Sequence, residues 1–291
     1  MNFNLDSWVV KFAIVLSLVA AREFVRLLSP KEAVGVVRDD NSKWLIETID
    51  SAAIAIGLVL FIIQPFLLQA FYIPSGSMED TLRINDRLLV SKLVYRMHPP
   101  QFQDVVVFKA PEAALLGQTL DPGETDFIKR CIGTPGDTIY VINRQYFRRA
   151  KGESTFSKLS EPYVKWSPPG RAPIYSYDMK IIDGVVYSRE YDQQNATGLW
   201  KVNGREATDQ ERISKAKPGA VPESKFLMFG DHRNNSNDGH AWGFVSPEQI
   251  RGKAIFVFWP PTRLGLVDRM SFHPRPPQDD ATAGEAPLLT R

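Results

Sequence analysis

The strongest constraint in this 291-residue sequence is the stretch from Ala52 to Ile73, where Gln64 and Gln69 are the only strongly polar side chains. A helix of roughly 20 such residues spans the hydrocarbon core of a bilayer. A second apolar run, Trp8 to Ala21, is interrupted only by Lys11 and Ser17 and ends at Arg22, Glu23 and Arg26. Charges at a helix end can snorkel to the membrane interface. The sequence therefore predicts a membrane anchor over residues 1–73, with transmembrane helices at 8–28 and 52–72. Arg22, Arg26, Lys31, Arg38 and Lys43 favour a cytoplasmic loop between them. Arg83, Arg87, Lys92 and Arg96 pull the other way, and the slightly richer loop places the main domain outside.

Directly after the apolar run comes Pro74-Ser75-Gly76-Ser77, a turn with a glycine that permits close backbone approach and two hydroxyls. Beyond it the pattern becomes β. Segments 87–94, 104–109, 127–133 and 138–142 are short, β-branched or apolar, and bounded by turn residues. From 143 to 224 the composition shifts to Lys, Arg, Ser, Pro and Tyr, with strand-like pieces at 180–182 and 184–187. The core pattern resumes at 226–230 and 252–259. The expected fold is mainly β: an antiparallel-sheet catalytic domain (74–142 and 225–273) with an inserted β-rich subdomain (143–224), behind two N-terminal transmembrane helices. Residues 274–291 read as a disordered tail.

Composition removes several function classes. A net charge of +2, with no basic cluster interleaved with aromatics, gives no nucleic-acid partner. The lone Cys131 excludes an intrachain disulfide and a cysteine metal cluster. The four histidines, His98, His232, His240 and His273, have no ligand spacing, so neither metal nor other cofactor is expected.

Lys129 stands in the middle of an apolar strand, between Ile128 and Ile132. A lysine on the exposed face would be solvated. One that points inward loses pKa to burial and can act as a general base toward a hydroxyl such as that of Ser77. None of the histidines has a matching aspartate and nucleophile context, which favours a serine–lysine pair.

Four segments in order carry a resemblance. These are Pro74-Ser75-Gly76-Ser77-Met78 with Thr81-Leu82, then 104–109, then 127–137, and finally Gly230-Asp231-His232-Arg233-Asn234-Asn235-Ser236-Asn237-Asp238 with 242–245. Together they resemble the boxes of bacterial type I signal peptidases (leader peptidases). The resemblance implies Ser77 as nucleophile and neutral Lys129 as general base, through an acyl-enzyme. It implies an oxyanion hole from the Ser77 N–H and the Ser75 hydroxyl, with Ser236 orienting the Lys129 amine. Asp238 and Arg130 are carried over as structural supports, and Phe71, Ile73, Met78, Leu82, Asp126, Phe127 and Ile128 as substrate-binding residues. Small apolar pockets would then select an Ala-X-Ala site.

The last box departs from the family pattern, with His232 where Asn is usual, Asn234 where Asp is usual and His240 where an arginine pairs with the aspartate. His240, Arg130 and Arg233 are the candidate partners of Asp238, and an exposed Asp–His pair contributes only about 0–1 kcal/mol. The partners implied are signal-peptide-bearing preproteins, the lipid bilayer and the secretion translocon. The implied location is the bacterial cytoplasmic (inner) membrane, multi-pass, with the catalytic domain on the periplasmic side. Two other readings remain: a non-catalytic membrane-anchored β-domain that binds exported polypeptides, and a Ser–Lys autoprotease of the repressor type.

Overall fold

The computed structural model describes residues 8–28, 40–116, 125–167, 176–191 and 198–271. The expected disordered tail and the middle of the inter-helix loop lie outside the described residues. Two compact units are present, one of residues up to Gln69 with Ser91–Leu93, the other of Ala70–Val90 with the chain from Val94 onward.

The first unit contains helices α1 (Trp8–Leu28) and α2 (Asp40–Leu58), packed against each other. Arg22 Nε lies 2.6 Å from Asp50 Oδ1, and the Phe12 and Phe61 rings are 5.0 Å apart. α2 continues as a wider helical turn, Val59–Leu67, in which the Leu68 N–H bonds the Ile63 carbonyl five residues back. Pro65 lies in this segment, and its backbone has no N–H for an ordinary helical bond. Helix then gives way to strand at Leu68, so the expected helix 52–72 ends earlier than the apolar run does. Among the described helices one, with its apolar window at Trp44–Phe61, is long and apolar enough to cross a membrane. α1 is long enough, but Lys11, Arg22, Glu23 and Arg26 interrupt its apolar run.

The second unit is built on two sheets. Its strands in chain order are β1 (Leu68–Tyr72), β2 (Arg87–Ser91), β3 (Val105–Lys109), β4 (Asp126–Gly133), β5 (Thr138–Ile142), β6 (Gln145–Arg149), β7 (Ser157–Lys158) and β8 (Ser176–Ile182). There follow β9 (Val185–Tyr191), β10 (Lys201–Val202), β11 (Arg205–Glu206), β12 (Phe226–Phe229), β13 (Phe244–Val245), β14 (Ile250–Trp259) and β15 (Gly265–Leu266). The first sheet has the order β1-β2-β14-β3-β4-β12-β13, with β15 on β14; the second has the order β11-β10-β9-β8-β5-β6-β7. The pairings β14–β3, β3–β4, β4–β12 and β12–β13 are antiparallel, as are those of the second sheet.

Local sequence explains the hairpins. Asn143-Arg144, Asp183-Gly184 and Asn203-Gly204 all take positive φ, the two-residue turn whose twist matches antiparallel strands. Side-chain alternation explains the layers. Val105 and Val107 join one buried cluster with Ile73, Met78, Leu82 and Leu88, while Val106 and Phe108 join another with Cys131, Met228 and Trp242. A third cluster joins Ile132, Leu227 and Phe229 of the first sheet to Ile139, Val141, Tyr177 and Met179 of the second. The second sheet thus begins at Thr138, before the compositional shift at 143, and shares its core with the first.

Candidate functional site

After β1 the chain runs extended through Ser75 (φ −130°, ψ 156°) and turns in one short helical turn, Gly76–Met78. Glu79 N–H closes that turn on the Gly76 carbonyl at 3.1 Å, and fully buried Met78 pins it to the core. Ser77 is held at the apex, half-buried. From β4, Lys129 projects to it, placing Nζ 2.8 Å from Ser77 Oγ and 3.1 Å from the Ile128 carbonyl. The Phe127 ring, two residues back on the same face, lies 5.2 Å from the amine.

Lys129 is only 5% exposed. Burial pushes its amine down from the ordinary lysine range to about 8, with Asp238 and Asp231 opposing that shift. The solvated-lysine alternative therefore does not hold: much of the Lys129 population is neutral near pH 8, with its nitrogen already on a hydroxyl.

Ser77 and Lys129 open into a cleft of about 530 Å³ lined by Phe71, Ile73, Ser75, Asp126, Phe127 and Ile128 among others. β12 pairs with β4 only over Arg130–Gly133, so the Asp126–Lys129 part of β4 is paired with β3 alone. Ser75 Oγ is exposed and 3.5 Å from Ser77 Oγ, on the cleft side. Asp126 is paired with Arg251 Nε at 3.2 Å.

Met78 and Leu82 do not line the cleft. Both are fully buried in the cluster beneath it, so they support the turn rather than touch a ligand. Ser236 does not hydrogen-bond Lys129: its Oγ is buried without a hydrogen-bond partner and packs against Gly230. That close approach accounts for Gly230. A Cβ there would stand 2.2 Å from Ser236 Oγ and 2.5 Å from the Ser77 carbonyl oxygen.

The partner of Asp238 is His240. Asp238 Oδ1 is 2.6 Å from His240 Nδ1, while Oδ2 accepts the Gly230 N–H at 2.9 Å. The expected exposed pair is instead buried, with both side chains at 3% exposure or less. Burial disfavours the His240 imidazolium, but Asp238 and Glu190 outweigh it and hold the pKa up at about 9. Arg130 pairs elsewhere: Nε and Nη2 grip Asp231 at 2.8 and 2.6 Å, and Thr81 Oγ1 donates to the same carboxylate at 2.6 Å. Arg233 pairs with Glu161.

Three further contacts near Ser77 were not legible in the sequence. His232 N–H donates to the Ser77 carbonyl, Lys165 bridges Glu79 and Asp80, and Ser167 meets the His232 ring. Lys165 and Ser167 come from the region read as an insertion, and no local motif marks them.

A serine hydroxyl bonded to a buried, low-pKa amine at the head of a β-walled cleft has the parts of a serine hydrolase. Comparison with known proteins narrows the class. Residues 45–259 match the family model "Signal peptidase, peptidase S26". The signal peptidase I of Leptolyngbya laminosa is 35% identical over 221 residues, covering 76% of this chain and 83% of that one. Signal peptidase I of Aquifex aeolicus is 32% identical over 217 residues (69% and 80%), and that of Pseudomonas fluorescens 29% over 273 residues (84% of each). The chain belongs to the signal peptidase family, peptidase S26, a family of serine endopeptidases.

Proposed function

We propose that this protein is a membrane-bound serine endopeptidase that removes N-terminal signal peptides from exported preproteins, with Ser77 as nucleophile and Lys129 as general base. The observation that carries the reading is the 2.8 Å bond between Ser77 Oγ and a buried amine with a pKa of about 8. Ser77 Oγ attacks the scissile carbonyl while its proton passes to Lys129 Nζ, which then delivers it to the leaving amine. Lys129, neutral again, takes a proton from the water that hydrolyses the acyl-enzyme. The Ser77 N–H and the Ser75 hydroxyl donate to the oxyanion; losing one such donor costs on the order of 10²–10³ in rate.

The cleft supports selection of small side chains. Phe71, Ile73, Phe127 and Ile128 narrow it with apolar bulk, which suits an Ala-X-Ala site. The Asp126–Lys129 edge, paired on one side only, is open to an extended substrate as an added strand. Asp238, which accepts the Gly230 N–H, and Arg130, which donates to the Gln103 carbonyl, are assigned to support of the surrounding loops. The apolar helix Trp44–Phe61 anchors the site at a bilayer, where a signal peptide leaves lipid. The location is the inner membrane of a bacterium, multi-pass with α1 as the other span and the catalytic domain outside, near the translocon that delivers preproteins.

The test is cleavage of an Ala-X-Ala preprotein by detergent-solubilised wild type, Ser77→Ala and Lys129→Ala. Wild type should cut and both variants should be inert. Cleavage by Lys129→Ala at the wild-type rate places the base elsewhere. A wild type that binds the preprotein without cutting it favours the binding-domain reading.

A further inference from the structure

Part of the inserted region returns to the turn that carries Ser77. We propose that residues 163–167 are a positioning strap for that turn, and that His232 is the positioning residue that transmits their hold. The inference rests on the serine–lysine reading above.

The strap is zipped by backbone onto the segment after β12. Lys165 N–H donates to the Asp231 carbonyl at 2.8 Å, and Arg233 N–H donates to the Lys165 carbonyl at 2.9 Å. Lys165 and His232 form a parallel bridge. In an extended chain every second side chain shares a face. Here Tyr163, Lys165 and Ser167 each meet a group that supports the site. The Tyr163 ring lies 3.8 Å from the Arg130 guanidinium that grips Asp231. Lys165 Nζ stands 3.3 Å from both the Glu79 and Asp80 carboxylates, directly after the Ser77 turn. Ser167 Oγ is 2.6 Å from His232 Nε2. The Asn234 amide fixes Ser167 from both sides, accepting its N–H at 2.9 Å and donating to its carbonyl at 3.0 Å.

His232 carries this hold to the turn at two points. Its N–H donates to the Ser77 carbonyl at 3.1 Å, and its ring Nδ1 lies 3.3 Å from the Gly76 carbonyl. A carbonyl only accepts, so Nδ1 carries the ring proton and Nε2 accepts from the Ser167 hydroxyl. One neutral tautomer satisfies both neighbours. Burial, then the nearby Lys165, hold the His232 pKa below its ordinary value, while Glu79 Oε2 at 3.6 Å opposes them. The chain of contacts thus runs from Ser167 through an only 4%-exposed imidazole to the carbonyls flanking the Ser77 N–H and the Ser77 hydroxyl. Among the described residues no hydrogen bond joins Ser167 or His232 to Lys129, so their effect falls on where Ser77 sits and not on the base.

The experiment uses the full-length protein in detergent and compares wild type, His232→Ala, Ser167→Ala, the double variant and Lys151→Ala. Lys151 pairs with Glu223 on the exposed surface of the same region and serves as control. His232→Ala should lower kcat by about 10- to 100-fold with KM unchanged, as expected for a small displacement of a reacting group. Ser167→Ala should lower it less, and the double variant should fall no further than His232→Ala. The acid limb of the pH profile should stay where wild type has it. If His232→Ala does not fold, His232→Gln and Ser167→Ala carry the same comparison. The inference is overturned if His232→Ala keeps kcat within twofold of wild type, if the two losses multiply in the double variant, or if KM rises while kcat holds. If wild type cuts no faster than Ser77→Ala, the serine–lysine reading fails first and the inference falls with it.

Discussion

Gly230→Ala gives the sharpest test of how the site is held together. Its added methyl would lie 2.5 Å from the Ser77 carbonyl oxygen, 2.2 Å from Ser236 Oγ and 2.6 Å from Ser236 Cβ. The Ser236 hydroxyl is unbonded, so moving it to relieve one contact breaks no hydrogen bond. The other two involve a backbone oxygen and a Cβ, which move only with their chain. Restoring the 3.4 Å of ordinary contact displaces the Ser77 carbonyl by about 0.9 Å. A misplacement of about 1 Å at a reacting group costs on the order of 10²-fold in rate. Overpacking of this kind also costs roughly 1–3 kcal/mol of stability. The assay is kcat and KM on an Ala-X-Ala preprotein beside thermal unfolding. Gly219→Ala is the control, since its nearest neighbour, the Ile181 carbonyl oxygen, is at 3.4 Å. A folded Gly230→Ala protein that cuts within threefold of wild type refutes the claim that glycine is required by space at Ser77.

Other expectations follow from charge and burial. Protonated Lys129 cannot take the Ser77 proton, so kcat/KM should rise about tenfold per pH unit below 8 and level off above it. Lys129→Arg, which stays charged, should be inert throughout that profile. Asp231→Ala removes the carboxylate that neutralises the buried Arg130 guanidinium and should cost about 3–5 kcal/mol in denaturant unfolding. His240 has its folded pKa raised above the unfolded value, so its stabilisation is full below about 6.5 and lost as pH rises through about 9. The stability gap between wild type and His240→Asn should therefore shrink by roughly 2–3 kcal/mol over that window. Met78→Ala and Leu82→Ala should each cost about 2–5 kcal/mol in unfolding while leaving KM unchanged in the folded fraction.

The sequence alone determined the features that depend on local chemistry. The continuous apolar run from Val105 to Phe108 is enough to read a short strand, and its two faces enter two different buried clusters. Ser77 and Lys129 came forward because four segments in order resemble the signal peptidase boxes; a serine in a glycine turn or a lysine in an apolar strand does not by itself mark a site. What only the tertiary structure decided is which partners meet across the chain. Burial turned the Asp238–His240 pair from a surface contact into a buried one, and placed Met78 and Leu82 beneath the cleft rather than in it. The strap at 163–167 reaches the Ser77 turn because the second sheet shares a core with the first. A pairing such as Lys165 with Glu79 and Asp80 spans many residues of chain and leaves no periodicity behind, so it exists as information only once packing has closed the distance.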